Sequence, residues 1–245
     1  MKIGQGLSDG ALNAVHLPLG LFITISLSGL FCLAFKLGYI PMLISIGIFL
    51  SVVFIVAIFT SKFNFTSLIG TRLSLAYIGL TCLLGGSALY PPPMMPNIML
   101  WSVSIIATTA IIISTIEIWL TEKVQSSSAF SQQLERQING ILVFSIALFI
   151  YASGKVNVWV IAIGIINHAT LFYTLIFSNF FKKPVKTRHP LLRSAMIILM
   201  ILALLPVITS QIAVGLCLIS IGLCLVVSAT EIRFSDVYNY IQKIR

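Results

Sequence analysis

Charged residues are scarce in this chain. Only 9% of its 245 residues are Asp, Glu, Lys or Arg, whereas a soluble domain carries about a quarter. Acidic residues are the rarest of these, with six in total, while 58% of the residues are hydrophobic. So few charges do not cover a globule in water, and so many apolar residues are not typical of a disordered chain. The composition therefore excludes soluble domains and disorder.

Cysteines and cofactor motifs are also few. The four cysteines form no C-x-x-C pair, so the sequence predicts neither a disulfide scaffold nor a zinc site. The Walker and G-x-G-x-x-G nucleotide motifs and the H-E-x-x-H metal motif do not occur. We therefore expect no cofactor and no metal, and an enzymatic function receives little support.

Long apolar runs dominate the sequence instead. A helix needs about 20 mostly apolar residues to cross a membrane, and eight runs approach or reach this length. None alternates polar and apolar residues as a barrel strand does. We therefore predict an all-α polytopic membrane protein with about eight transmembrane helices. These are residues 17–35, 40–60, 73–90, 98–120, 138–152, 156–178, 194–210 and 212–232.

The fifth of these runs is the weakest prediction. Residues 138–152 are only 15 residues long, which is short for a membrane span. The run spans the membrane only if it extends backward into residues 132–137 or lies in a thinned, protein-lined region.

Lysine and arginine are distributed unevenly among the predicted loops. With eight crossings, Lys36 and Lys155 lie on one side, and the other 13 cations lie with the two termini. Cytoplasmic loops are enriched in these residues, so both termini are predicted to be cytoplasmic. The +9 charge then reflects topology rather than a nucleic-acid partner. The densest basic group is predicted to contact anionic lipid headgroups: Lys182, Lys183, Lys186 and Arg188.

The ends of the fourth and eighth helices indicate an internal duplication. Residues 114–122 and 228–236 share Ser, Glu and Ile at aligned positions, with three conservative pairs beside them. Four helices per half make the two repeats parallel. Amphipathic helix ends also resemble each other without duplication, so both explanations stay open. The predicted segments are a four-helix half at 1–122, a polar linker at 123–137, a second half at 138–236 and an amphipathic tail at 237–245.

Two glutamates are candidate functional residues at the cytoplasmic ends of the predicted helices. Glu117 lies near the end of the fourth helix, and Glu231 holds the same place in the eighth. The structural interpretation pairs each carboxylate with a loop cation such as Arg72 or Arg193. The functional interpretation has two symmetry-related carboxylates that take a cation or proton at a cytoplasmic mouth.

A polar stripe with a histidine marks the sixth helix near its middle. Asn167, Thr170 and Thr174 follow a helical spacing and share one face, and His168 borders it. The functional interpretation is a path for a solute or proton with His168 as its titratable group. The structural interpretation is hydrogen bonding between helices, which uses the same residue types in membranes.

These features leave three classes of function. A transport component for a small solute or ion ranks first, a non-catalytic subunit of a larger membrane complex second, and a membrane enzyme on a lipid-soluble substrate third. The expected location is the bacterial inner membrane, which the chain crosses several times. The expected partners are the lipid bilayer and either other membrane subunits or further copies of this chain.

Overall fold

The computed structural model consists of α-helices and one short 3₁₀ turn in the described part of the chain. It describes the backbone at residues 5–60, 68–92, 95–124, 129–181 and 190–231 and the side chains at 17–58, 73–92, 95–116, 133–176 and 191–230. The helices are α1 (Gln5–Phe35), α2 (Ile40–Thr60), α3 (Leu68–Leu89), α4 (Asn97–Val124), α5 (Ala129–Ala152), α6 (Ile161–Phe181), α7 (Pro190–Leu204) and α8 (Ser210–Glu231). The prediction of an all-helical fold is confirmed.

Six helices in the described part are long and apolar enough to cross a membrane: α1, α2, α4, α5, α6 and α8. The apolar parts of α3 and α7 are shorter, at Leu73–Leu89 and Leu191–Leu204. At 1.5 Å per residue, the 15 residues of α7 cover about 22 Å of a hydrocarbon layer about 30 Å thick. The helices fit a multi-pass integral membrane protein.

Several helix boundaries differ from the sequence prediction, and the largest differences are in α1, α5 and α7. Helix α1 begins at Gln5 rather than at residue 17, and α5 begins at Ala129 rather than at residue 138. Helix α7 ends at Leu204 rather than at residue 210. Pro206 accounts for that end, because it has no N–H to donate and its ring disfavours the helical conformation at the preceding residue. The predicted tail at 237–245 lies outside the described residues.

Helix α5 is the central helix of the bundle. It packs against α2, α3, α6 and α7. Its candidate span, Gln133–Ala152, is 61% buried inside the protein, the largest share among the six spans. Helix α3 is the second central helix and packs against α1, α2, α4 and α5. Side chains of α5 are therefore shielded from lipid by neighbouring helices.

Helices α5 and α6 run antiparallel and approach closely at two glycines. A Cβ added to Gly140 would lie 2.6 Å from Nδ1 of His168, and one added to Gly164 would lie 2.6 Å from Cα of Phe144. Small residues allow the backbones of membrane helices to approach in this way. The contact fixes His168 beside the middle of the central helix.

Helices α6 and α8 run parallel to each other. The thiol of Cys224 donates to the carbonyl oxygen of Ile163 at 3.6 Å, and Thr170 and Ser228 form a hydrogen bond further along both helices. The contact nearer the start of α6 is also the one nearer the start of α8, so the two helices point in the same direction. The chain between them therefore has to run back in the opposite direction. Helix α7 makes that return.

The packing differs between the two predicted halves. Helices α2 and α3 form one of the most extensive contacts in the protein. Their counterparts under the predicted duplication, α6 and α7, do not pack extensively on each other within the described residues. Lys36 follows the first predicted helix and Lys155 follows the fifth, so the duplication also pairs these two lysines. Their surroundings differ, because Lys36 is exposed and Lys155 is partly buried.

Candidate functional site

The predicted polar stripe of α6 faces the inside of the bundle. Asn167, Thr170 and Thr174 are all buried. Oγ1 of Thr170 lies 2.9 Å from Oγ of Ser228 on α8, and Thr174 donates to the carbonyl oxygen of Leu171 at 2.8 Å. Both threonines therefore have hydrogen-bond partners within the protein, and the structural interpretation accounts for them.

Asn167 and His168 differ from these threonines. Asn167 is only 2% exposed, and its Nδ2 atom has no hydrogen-bond partner among the described residues. His168 is partly buried against Gly140, and its Nδ1 atom also has no partner there. Buried polar groups nearly always have partners, so these two atoms call for an explanation. They are the part of the stripe that helix packing leaves unexplained.

The other candidate residues from the sequence lie outside the described side chains. Glu117 belongs to α4 and Glu231 is the last residue of α8, but only their backbones are described. Neither the ion-pair interpretation nor the cation-site interpretation is tested for them. The four basic loop residues also lie outside the described part of the chain: Lys182, Lys183, Lys186 and Arg188.

The first turns of α5 contain a run of polar residues, most of which the sequence prediction assigned to the linker at 123–137. Gln133, Glu135, Arg136, Gln137 and Asn139 all lie within the candidate span Gln133–Ala152. Gln133 and Gln137 are buried, and the other three are partly buried. The run covers about 9 Å along the helix. We call these five residues the α5 polar run.

Two members of the α5 polar run bind side chains on other helices. The hydroxyl of Ser114 on α4 donates to Oε1 of Glu135 at 3.1 Å. The hydroxyl of Tyr77 on α3 donates to Oδ1 of Asn139 at 2.7 Å. Hydrogen bonds between helices are a means by which membrane proteins hold polar side chains in place. Helices α3, α4 and α5 are thus joined through polar side chains at this level.

A third member of the run connects α5 to α6. Nε2 of Gln137, which is 3% exposed, donates to the carbonyl oxygen of Leu171 at 3.0 Å. That carbonyl lies one turn from His168. On α7, which also packs against α5, the Arg193 side chain is 7% exposed. Ionisable groups inside membrane spans are costly and are found where a protein uses them.

Polar groups continue deeper into the bundle on the face of α3 that packs against α5. Tyr77, Thr81 and Gly85 share this face, because they are spaced by four residues. Tyr77 binds Asn139, and a Cβ added to Gly85 would lie 3.4 Å from Oγ of Ser145. Thr81 lies between these two contacts, and its buried hydroxyl has no partner among the described residues.

The available sequence signal for the α5 polar run was the length of the fifth apolar segment. Residues 138–152 are too few to span, so the helix has to include the polar residues before them. Composition alone did not indicate that these residues are buried, because Gln, Glu and Arg are usually exposed. Their burial depends on partners from α3, α4 and α6, which are distant in the sequence.

The arrangement offers hydrogen-bonding and ionisable groups rather than a cluster of metal ligands. Among the described residues, no three His, Cys, Asp or Glu side chains lie close enough to share a metal ion. The four cysteines are buried and unpaired by disulfides. No family model matches the chain, and no curated protein or solved structure matches it either.

Proposed function

We propose that this protein is a transport component that moves a small solute or ion, with a proton as the simplest case, along a polar path beside α5. The path begins at the α5 polar run and continues past Thr81 toward Ser145 on the α3 side of α5 and past His168 on the α6 side. Asn167 lies next to His168, on the face of α6 that contacts α8. The observation that carries this proposal is the series of buried polar groups between α5 and the helices α3 and α6.

The position of the series supports a path rather than a set of structural hydrogen bonds. Glu135 and Arg136 are ionisable groups in the most buried span of the bundle. A charged residue at the centre of a membrane helix costs about 2.5–3.5 kcal/mol by insertion measurements. The cost is smaller near the end of the span, where these two residues lie, but it still has to be offset by neighbouring groups. Function is the default explanation for such residues.

Three buried polar atoms extend the series toward the middle of the bundle: Oγ1 of Thr81, Nδ2 of Asn167 and Nδ1 of His168. Polar atoms without protein partners are the atoms that bind water or a passing solute. His168 adds a titratable group, because imidazole gains and loses a proton near neutral pH. Each of the three atoms is a buried hydrogen-bonding position on a helix other than α5.

The topology that fits this function has eight crossings with both termini in the cytoplasm. The parallel course of α6 and α8 supports a full return through α7, although α7 is short. The uneven distribution of Lys and Arg supports the orientation. The entrance beside the α5 polar run then faces the cytoplasm. A duplicated four-helix unit, a bacterial inner membrane and association with other subunits or copies remain hypotheses from the sequence.

Proton flux into proteoliposomes tests the proposal directly. Purified protein is reconstituted around a pH-sensitive dye, and a potassium–valinomycin potential drives protons inward. We expect Glu135→Gln and His168→Ala each to reduce the protein-dependent flux at least about tenfold, since a positioned acid–base group contributes about that factor or more. Thr109→Val is the matched control, because Thr109 is exposed on α4 and binds only its own helix.

Wild-type flux equal to that of protein-free liposomes would exclude the proton and favour the non-catalytic subunit. Water access provides a second readout that does not depend on the solute. In a variant whose four cysteines are replaced, a cysteine at Asn139 or Thr81 is expected to react with a small membrane-impermeant thiol reagent. A cysteine at Thr109 is expected to remain unreactive. Protection of both path positions from the reagent would contradict a polar path.

A further inference from the structure

Lys155 lies in the connection between α5 and α6 and reaches the C-terminal end of α7. Its Nζ atom lies 3.5 Å from the carbonyl oxygen of Ala203 and 3.3 Å from that of Leu204. It also forms a hydrogen bond with the carbonyl oxygen of Leu205. Three consecutive carbonyl groups therefore converge on one ammonium nitrogen.

The chemistry of the ammonium group matches this arrangement. A primary ammonium has three N–H donors and no acceptor, and three acceptors surround it here. Partial burial lowers the pKa of the Lys155 side chain. The three carbonyl oxygens oppose that effect, because hydrogen bonds to the charged form favour it. An arginine side chain, with its planar fork of donors, does not reproduce a point charge at the centre of three oxygens.

The chemistry of a helix C-terminus explains why this end of α7 attracts a cation. The last four carbonyl groups of an α-helix have no partner in the helix, and the dipole places partial negative charge there. Helix α7 ends at Leu204, so the carbonyl groups of Ala203 and Leu204 belong to its last turn. The carbonyl oxygen of Leu205, just past the helix end, also accepts from the N–H of Ile208 at 3.0 Å, so it is shared between that group and Lys155.

We infer that the C-terminal end of α7 is a binding site for a primary ammonium group, which Lys155 supplies from within the chain. The side chain acts as a tethered ligand that joins the α5–α6 connection to the α7–α8 connection. The site follows from three oxygen atoms and their spacing around one nitrogen. It does not depend on the proposed transport function.

Chemical rescue of Lys155→Ala tests this site. The substitution leaves the carbonyl groups in place and opens the space that the lysine stem fills. We expect the melting temperature of the purified full-length variant in detergent to fall by roughly 5 °C, since hydrogen bonds to a charged group are lost. Propylammonium chloride is expected to restore most of this loss in a saturable manner and to leave the wild type unchanged.

Two controls separate a specific site from a general charge effect. Tetramethylammonium chloride has the same charge but no N–H donor, so it is expected to give no rescue. Lys36→Ala removes an exposed lysine from the same predicted side of the membrane, and its melting temperature is expected to equal that of the wild type. Equal rescue by both salts, or equal effects of the two substitutions, would overturn the inference.

Lys155→Arg covers the case in which Lys155→Ala does not yield folded protein. It keeps the positive charge and the long stem but presents a planar group to the three oxygens. We expect its melting temperature to lie below that of the wild type. A melting temperature equal to that of the wild type would show that charge alone suffices, and the assignment to a primary ammonium would be wrong.

Discussion

Gly86→Ala is expected to lower the free energy of unfolding by about 3 kcal/mol, at the upper end of the usual cost of overpacking. For a chain of this length, that corresponds to a fall in melting temperature of roughly 6–12 °C. The reason is the close contact between α2 and α3. A Cβ added to Gly86 would lie 2.1 Å from Oγ of Ser45 and 2.3 Å from the carbonyl oxygen of Pro41.

The atoms that oppose the new methyl group cannot move easily. The carbonyl oxygen of Pro41 belongs to the backbone of α2. Ser45 donates its hydroxyl hydrogen to that same carbonyl at 2.7 Å, so turning the side chain away breaks a buried hydrogen bond. The two helices therefore have to separate. Alanine has a better helix propensity than glycine by about 1 kcal/mol, which is too little to offset the separation.

Gly47→Ala is the matched control, since Gly47 lies on α2 and a Cβ added there meets no atom within 4 Å. We expect the melting temperature of this variant to stay within a few degrees of the wild type or to rise slightly. Melting is followed by tryptophan fluorescence of the purified protein in detergent. Equal melting temperatures for the two alanine variants would contradict the close α2–α3 contact.

The helical type of the fold was predictable from the sequence, whereas six rather than eight helices of the described residues are long and apolar enough to span a membrane. Continuous apolar runs of about 20 residues form helices in a membrane, since every backbone polar group has to be satisfied within the segment. The boundaries were less predictable. Pro206 was included in the seventh predicted span because the residues around it are apolar, although its ring ends α7 two residues earlier.

The candidate site was only partly predictable. Asn167 and His168 were identified because polar residues are conspicuous in an apolar helix. The α5 polar run was missed, because a series of polar residues beside an apolar segment is typical of a loop. What distinguishes Gln137 from a linker residue is its hydrogen bond with the carbonyl oxygen of Leu171, which is 34 positions away in the sequence. Such pairings arise from helix packing, which no local pattern encodes.

Lys155 is a second residue whose surroundings the sequence did not predict. The sequence paired it with Lys36, since each follows the first helix of a predicted half. The structure gives them different surroundings, because Lys155 reaches the end of α7 and Lys36 is exposed. The place where α7 ends decides this difference, and Pro206 accounts for that place.

Gly164→Ala is expected to weaken the contact between α5 and α6 and to lower the free energy of unfolding by about 2–3 kcal/mol. A Cβ added to Gly164 would lie 2.6 Å from Cα of Phe144 and 2.8 Å from its Cδ2. A backbone atom cannot rotate away, so α6 has to move outward from the central helix. We expect a fall in melting temperature of roughly 4–12 °C.

Gly140→Ala tests the same pair of helices with a different expected outcome. The nearest atom to its added Cβ is Nδ1 of His168 at 2.6 Å, whereas Cα of His168 is 3.5 Å away. The imidazole ring turns aside at a cost of about 1 kcal/mol, within the range for an off-rotamer side chain. The variant is therefore expected to melt close to the wild type and above Gly164→Ala. Its displaced ring is expected to react faster with diethylpyrocarbonate, measured at His168 by mass spectrometry.

Comparing these two variants separates the packing role of the α5–α6 contact from the functional role of His168. If the polar path passes His168, Gly140→Ala reduces proton flux while the protein stays folded, because the titratable group has moved from its neighbours. In Gly164→Ala, the added methyl group contacts Phe144 rather than His168. This variant therefore affects His168 only by separating α5 from α6, and its loss of flux is expected to parallel its loss of stability. Full flux in Gly140→Ala, together with faster labelling of His168, would remove the histidine from the path and leave it a packing residue against Gly140.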